Sequence, residues 1–91
     1  MRRGVALTVS GRVQGVGFRW MTKMVADQLK IAGFVTNLDN GDVYIEASGE
    51  ETALQEFIGA VKASPSPSGH VDHVSEQAID PQPALSKFKI Q

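Results

Sequence analysis

The sequence predicts an α+β fold in which two helices cover one face of an antiparallel sheet. The hydrophobic pattern alternates between a two-residue period, typical of strands, and a three- to four-residue period, typical of helices, in the order β-α-β-β-α-β. The chain has 91 residues, 42% of them hydrophobic and 21% charged, which suits one globular domain with a single core. We therefore expect residues 1–91 to form a single domain.

The first strand and the first helix flank a glycine-rich stretch. Gly4 to Ser10 alternate between apolar and small or polar side chains, which predicts a half-buried strand. After Gly11–Arg19, apolar residues recur at helical spacing through to Ala32, which predicts an amphipathic helix. Its predicted buried stripe consists of Met21, Met24, Val25 and Leu29.

A hairpin is predicted in the middle of the chain. Phe34 to Leu38 reads as a second strand. The next four residues, Asp39 to Asp42, contain an Asn-Gly pair between apolar runs, which is the strongest short-range hairpin signal. Val43 to Ser48 alternate again and predict the third strand.

The last third of the chain predicts a second helix and a fourth strand. The helix begins after Ser48, with carboxylates in its first turn where the helix dipole favours them. Its buried positions follow the i, i+3, i+4, i+7 pattern and are Leu54, Phe57, Ile58 and Val61. Two prolines in Ser64–Gly69 end the helix, and we interpret that segment as a stiff connecting loop. Val71 to Ile79 predicts the fourth strand, although its weak alternation does not define the register.

This order of elements is that of the split-βαβ, ferredoxin-like arrangement, with strand order 4-1-3-2. Ser86, Phe88 and Ile90 alternate and predict a possible extra edge strand at the C-terminus. Strands 1 and 2 run the same way with strand 3 between them, so their ends lie at one edge of the sheet. Two strand spacings then separate the glycine-rich stretch from Asn37 by about 10 Å. The topology thus predicts one site from two distant sequence features.

The stretch Gly11–Arg19 (GRVQGVGFR) predicts an anion site. It lies between a strand and a helix start, where unpaired N–H groups meet the positive end of the helix dipole. Its glycines allow positive φ values and a close approach of a ligand, and Arg19 adds a charged planar fork suited to a phosphoryl group. A Walker loop is excluded because Phe18-Arg19 stands where that loop requires Lys followed by Ser or Thr. A dinucleotide-binding fingerprint is excluded because Trp20 stands where that motif requires its last glycine. From the residues alone, a glycine-rich turn with a surface arginine stays open.

Other candidate residues have competing interpretations. Asn37 either caps the hairpin turn or orients a water molecule through an amide that both donates and accepts. His70 and His73 flank Asp72, but residues three apart on a strand point to opposite faces, so we do not expect a metal. The chain has no cysteine, which excludes disulfides, thiolate metal sites and cysteine nucleophiles.

Charge and hydropathy set expectations about partners and location. The net charge of −1 gives no reason to expect a nucleic acid. No window approaches the length of a membrane span, and the start of the chain lacks the apolar core of a signal peptide. We therefore expect a cytoplasmic protein that does not bind a membrane.

Two motifs together resemble those of the acylphosphatase family: GRVQGVGFR at Gly11–Arg19 and GFVTNLDNGDV at Gly33–Val43. The similarity covers the chain from Val5 to Phe88. The resemblance implies hydrolysis of small-molecule acyl phosphates, which are carboxylic–phosphoric anhydrides, to a carboxylate and inorganic phosphate. It also implies that the reaction needs no metal or cofactor and forms no phosphoenzyme.

The resemblance further implies the roles of individual residues. Arg19 and Asn37 are the implied catalytic residues; Arg19 binds the phosphoryl group and Asn37 positions the attacking water. The implied phosphate-binding residues are Gln14, Gly15, Val16, Gly17, Phe18 and Arg19. One departure from the family pattern is Lys30, which stands where a helix-ending glycine is common. If Lys30 is left-handed, the strain costs up to about 1 kcal/mol.

A non-catalytic anion- or RNA-binding module on the same fold is the alternative. RNA-binding sheets of this kind use exposed aromatic residues and a basic surface, and strand 3 offers only Tyr44. We expect a monomer. The sequence shows no dedicated specificity pocket. We therefore expect a site that binds mainly the phosphoryl group of the substrate and accepts varied acyl groups.

Overall fold

A computed structural model describes residues 1–84 and 86–91 of the chain. The elements of these residues follow the predicted order and end with a short fifth strand. They are β1 (Arg2–Arg12), α1 (Phe18–Leu29), β2 (Ala32–Asn37), β3 (Val43–Glu50), α2 (Glu51–Lys62), β4 (His70–Ile79) and β5 (Phe88–Ile90). Neither helix of the described residues is both long and apolar enough to cross a bilayer.

The strands form one sheet with the order β4-β1-β3-β2-β5. β1 lies antiparallel to β3 and β4, and β2 lies antiparallel to β3. The predicted order 4-1-3-2 is confirmed, and the C-terminal edge strand is present. Because β5 pairs parallel with β2, the complete sheet is mixed rather than antiparallel throughout.

Both helices pack on the same face of the sheet around a single core. Alternate side chains of β1 and β3 point to this face and are fully buried, namely Leu7, Val9, Val43 and Ile45. They form one cluster with side chains of α1 and α2. The four positions predicted for α2 are all buried, so that prediction is confirmed: Leu54, Phe57, Ile58 and Val61.

The predicted buried stripe of α1 is wrong in part. Met24 is 44% exposed, whereas the buried residues are Phe18, Thr22 and Ala26, each one turn from the next. The sequence pattern places Phe18 in the loop, but Phe18 is the first residue of α1 and lies in the core. The buried face of the helix is therefore rotated relative to the predicted one. The helix ends at Leu29.

Several strand boundaries also differ from the predicted ones. β2 spans Ala32–Asn37 rather than 34–38, because Gly33 lies inside the strand. A Cβ at Gly33 would collide with the main-chain oxygen of Glu46 on β3, so this glycine permits close pairing instead of ending an element. β3 continues to Glu50, which moves the start of α2 to Glu51.

Replacing Thr22 by valine is expected to stabilise the fold. The Thr22 hydroxyl is buried and has no hydrogen-bond partner among the described residues. Valine keeps the shape without the desolvated hydroxyl, so the free energy of unfolding should rise by about 1 kcal/mol. In a domain of this size that raises Tm by roughly 4–8 °C in thermal unfolding. Thr22→Ala, which leaves a cavity, should lower Tm; a lower Tm for Thr22→Val would contradict the prediction.

Replacing Lys30 by glycine is a second expected stabilisation. Lys30 ends α1 with φ 58° and ψ 42°, the left-handed conformation anticipated for this position. The N–H of Ile31 donates to the carbonyl of Ala26 at 2.8 Å, which fixes this turn. Lys30→Gly should raise the free energy of unfolding by up to about 1 kcal/mol, measured by denaturant titration. Lys30→Ala removes the charge but keeps the Cβ. If the free energy of unfolding rises in both variants, the cause is the lost charge and not relief of backbone strain.

Candidate active site

A cleft of about 210 Å³ opens where β2 ends and α1 begins. Its lining residues come from the loop after β1, from α1, and from the ends of β2 and β5. They are Val13, Gly15, Gly17, Phe18, Arg19, Trp20, Asn37 and Ile90. Arg19 and Asn37, which belong to separate motifs, therefore line the same cleft.

Strand register explains why these two residues meet. Asn37 is the last residue of β2 and pairs with Val43, which pairs in turn with Val9 near the end of β1. Two strand spacings, about 10 Å, separate Asn37 from β1. The side chain of Arg19, which follows β1 through the glycine-rich turn, has to bridge this gap.

Arg19 is held toward the β2 side of the cleft. Its Nη1 donates a hydrogen bond to the main-chain oxygen of Gln91 at 2.8 Å. Gln91 in turn donates its N–H to the carbonyl of Val35 on β2, also at 2.8 Å. Among the described residues, these contacts use one guanidinium nitrogen and leave the other N–H groups of Arg19 for a ligand.

The glycine loop, residues 13–17, presents unpaired main-chain N–H groups. Gly15 and Gly17 have φ values of 75° and 76°, and a Cβ at either would meet no atom within 4 Å. Backbone conformation, not crowding, therefore requires glycine here, and the space beside both residues is open. The N–H groups of residues 14–19 donate to no protein atom in the described part of the chain. At the positive end of α1, main-chain N–H groups in this arrangement are suited to binding an anion.

The Asn37 amide has no partner in the described part of the chain, and another asparagine caps the hairpin. The Asn37 side chain is exposed and makes no hydrogen bond within residues 1–84 and 86–91. The Oδ1 of Asn40 accepts from the N–H of Asp42 at 3.0 Å, and the Leu38 N–H donates to the Asp42 carbonyl at 2.8 Å. The geometry thus assigns the cap to Asn40 and leaves Asn37 available to a ligand or a water molecule.

The side chain of Gln14 ties the glycine loop to this hairpin. Its Nε2 donates to the carbonyl oxygens of Leu38 and Asp42, both at 2.8 Å. Both amide protons are thereby used, so the side chain positions the loop relative to the end of β2. Only the main-chain N–H of Gln14 is left to contact an anion.

Ser66 supports the glycine loop from the opposite side. It is a buried serine, and its Oγ donates to the carbonyl oxygen of Val16. In a trans peptide the carbonyl and the following N–H point in opposite directions, so the N–H of Gly17 points away from Ser66. Sequence reasoning missed this residue, because a serine in a proline-rich loop carries no signal that distinguishes it from its neighbours.

The Acylphosphatase family model matches residues 5–90. The chain belongs to the acylphosphatase family. A relative named acylphosphatase from Latilactobacillus sakei is 53% identical over 90 residues, covering 99% of this chain and 98% of the relative. The crystal structure of acylphosphatase from Bacillus subtilis superposes with a TM-score of 0.91 at 43% identity, covering 100% and 99% of the two chains. An acylphosphatase from Coxiella burnetii gives the same TM-score at 31% identity, covering 99% of this chain and 93% of that one.

The remaining candidates lie outside the cleft of this acylphosphatase-family fold. Arg12 ends β1 opposite His70 and does not line the cleft. His70 Nε2 lies 3.1 Å from Asp72 Oδ1, and His73 Nε2 lies 3.3 Å from the hydroxyl of Ser75. Among the described residues, no three His, Asp or Glu side chains are grouped to hold a metal ion.

Proposed function

We propose that this chain hydrolyses acyl phosphates by direct attack of water on the phosphoryl group. One observation carries the proposal: Arg19, the N–H groups of the glycine loop and the amide of Asn37 surround one cleft, and the loop N–H groups and this amide have no partner among the described residues. Membership of the acylphosphatase family and the names of its relatives support the reaction class. A monomeric state and a cytoplasmic location stay predictions.

The phosphoryl group is bound by charge and by main-chain donors. Arg19 offers its free guanidinium N–H groups, and residues 14–18 offer main-chain N–H groups fixed by the loop. Because these donors are already oriented, they stabilise the charge of the transition state without reorganising. The hydrogen bond from Ser66 to the Val16 carbonyl directs the N–H of Gly17 away from Ser66. This orientation makes the Gly17 N–H a suitable donor to the phosphoryl group.

Asn37 orients the nucleophile. Its side-chain oxygen accepts a hydrogen bond from the water, which leaves a lone pair of the water oxygen to attack phosphorus. The water oxygen forms a bond to phosphorus while the bond from phosphorus to the acyl oxygen breaks. The carboxylate leaves as a stable anion and the water proton passes to phosphate or solvent, so departure needs no strong acid at the leaving oxygen. Correct placement of the water is then the main demand on the protein.

Hydrolysis of benzoyl phosphate in excess chelator tests the reaction. We expect turnover that survives chelation, and no comparable turnover of a phosphate monoester, whose leaving group is poorer. A folded sample without activity on benzoyl phosphate would instead favour the non-catalytic anion- or RNA-binding module. Loss of activity on chelation, restored by metal, would overturn the metal-independent mechanism.

Ser66→Ala is expected to weaken the site. It removes the hydrogen bond to the Val16 carbonyl and frees the peptide that carries the Gly17 N–H. The loss of about one hydrogen bond predicts a fall in kcat/KM of roughly 10-fold and a weaker inhibition by inorganic phosphate.

The matched control is Ser68→Ala, an exposed serine in the same loop. It should leave kcat/KM and phosphate inhibition within about two-fold of the parent, as surface substitutions usually do. An equal effect of both substitutions would show that general loosening of the loop, and not the Val16 bond, matters.

A further inference from the structure

Two apolar side chains at the cleft are left exposed. Trp20 is 59% exposed and Ile90 is 37% exposed, and both line the cleft that contains Arg19 and Asn37. The other large apolar lining residues, Val13 and Phe18, are buried and have almost no surface left to offer. Trp20 and Ile90 are therefore the lining residues that gain most apolar contact when the cleft is filled.

The geometry points to an acyl subsite formed by Trp20 and Ile90, which favours acyl phosphates with an aromatic or extended apolar acyl group. This inference rests on the proposed function. Once Arg19 and the loop N–H groups hold the phosphoryl end, the exposed faces of Trp20 and Ile90 are the apolar surface that the cleft lining offers to the acyl group. An indole face offers a large and rigid apolar surface at that point.

The position of Trp20 in the fold supports a ligand rather than a structural task. It directly follows Arg19 on α1, so the indole is anchored by the same helical turn that anchors the guanidinium. Ile90 lies on β5, next to the residue whose carbonyl accepts the hydrogen bond of Arg19. Trp20 thus directly follows the arginine of the proposed phosphate site, and Ile90 directly precedes the residue that holds this arginine.

A comparison of benzoyl phosphate with acetyl phosphate tests the subsite, because the two substrates share the phosphoryl group. Packing of an aromatic group against an aromatic side chain raises binding affinity by about 3- to 10-fold. Trp20→Ala should therefore lower kcat/KM for benzoyl phosphate by about 3- to 10-fold. It should leave acetyl phosphate turnover and inhibition by inorganic phosphate within about two-fold.

Met24→Ala is the matched control. Met24 is an exposed apolar residue one helical turn after Trp20 and does not line the cleft. Met24→Ala should leave kcat/KM for both benzoyl phosphate and acetyl phosphate close to that of the parent. Equal losses on both substrates for Trp20→Ala, or a loss of the same size for Met24→Ala, would overturn the acyl subsite. The latter would assign the exposed apolar surface of α1 to another partner, such as a second copy of this chain.

A binding measurement separates this inference from the proposed function. The chain has a single tryptophan, so its fluorescence reports on Trp20 alone. Benzoylphosphonate, which cannot be hydrolysed at its C–P bond, should shift the emission and bind about 3- to 10-fold more tightly than acetylphosphonate. Ile90→Ala should reduce that ratio. Equal affinity of both phosphonates would overturn the subsite even in an active enzyme, whereas an inactive chain that keeps the ratio would overturn only the proposed reaction.

Discussion

Arg19→Ala is expected to lower kcat/KM for benzoyl phosphate by at least about 10²–10³-fold, the effect typical of losing one charge-stabilising donor. The guanidinium is the one charged side chain that lines the cleft in the described part of the chain. Its removal withdraws charge from both the bound phosphoryl group and the transition state. Inhibition by inorganic phosphate should therefore disappear together with turnover.

The fold should survive this substitution, because within the described residues the Arg19 side chain donates one hydrogen bond, to the main-chain oxygen of Gln91. Thermal unfolding close to that of the parent would confirm this. Arg19→Lys keeps the charge but loses the planar fork, so it should recover only part of the lost activity. Arg12→Ala removes an arginine from the same motif outside the cleft and should stay near the parent activity. Near-normal turnover by folded Arg19→Ala would rule out the proposed mechanism.

Much of the fold could be predicted because local patterns and topology agree. The Asn-Gly turn and the four-residue stripe of α2 each specify one element, and the order of elements leaves few possible topologies. The errors arise where tertiary contacts decide. Gly33 looks like a break in the sequence, but it lies within β2 because β3 approaches its main chain too closely for a Cβ. Phe18 looks like loop but starts α1, which rotates the buried stripe to Thr22.

The candidate site was predictable in the parts that depend on the main chain and on strand order. Arg19 follows a glycine-rich strand–helix turn and Asn37 ends β2, so topology alone brings them to one edge. The side chains that support the loop were not predictable in the same way. The amide of Gln14 and the hydroxyl of Ser66 act through carbonyls of distant residues, at sequence separations of 24 and 50 for Leu38 and Val16. Contacts of that range leave no periodic pattern in the sequence.

Asn37→Ala is expected to lower kcat by about 10²-fold while inhibition by inorganic phosphate changes by less than about three-fold. The Asn37 amide makes no hydrogen bond to described residues, so its loss should not disturb the fold. The phosphoryl donors, Arg19 and the loop N–H groups, are unaffected by the change. A misplaced water lowers the rate of the chemical step without weakening the binding of phosphate.

The split between kcat and phosphate inhibition distinguishes the possible roles of Asn37. If phosphate inhibition weakens as much as kcat falls, Asn37 is a phosphate ligand and the water is positioned by another group. Asn37→Asp keeps the size but replaces the donor by a carboxylate, which repels the phosphoryl group, so it should weaken phosphate inhibition as well. Thr36→Ala is the matched control, since strand alternation directs the preceding residue of β2 to the opposite face of the sheet. Its kcat should stay near that of the parent, because a change on that face does not reach the water that Asn37 orients.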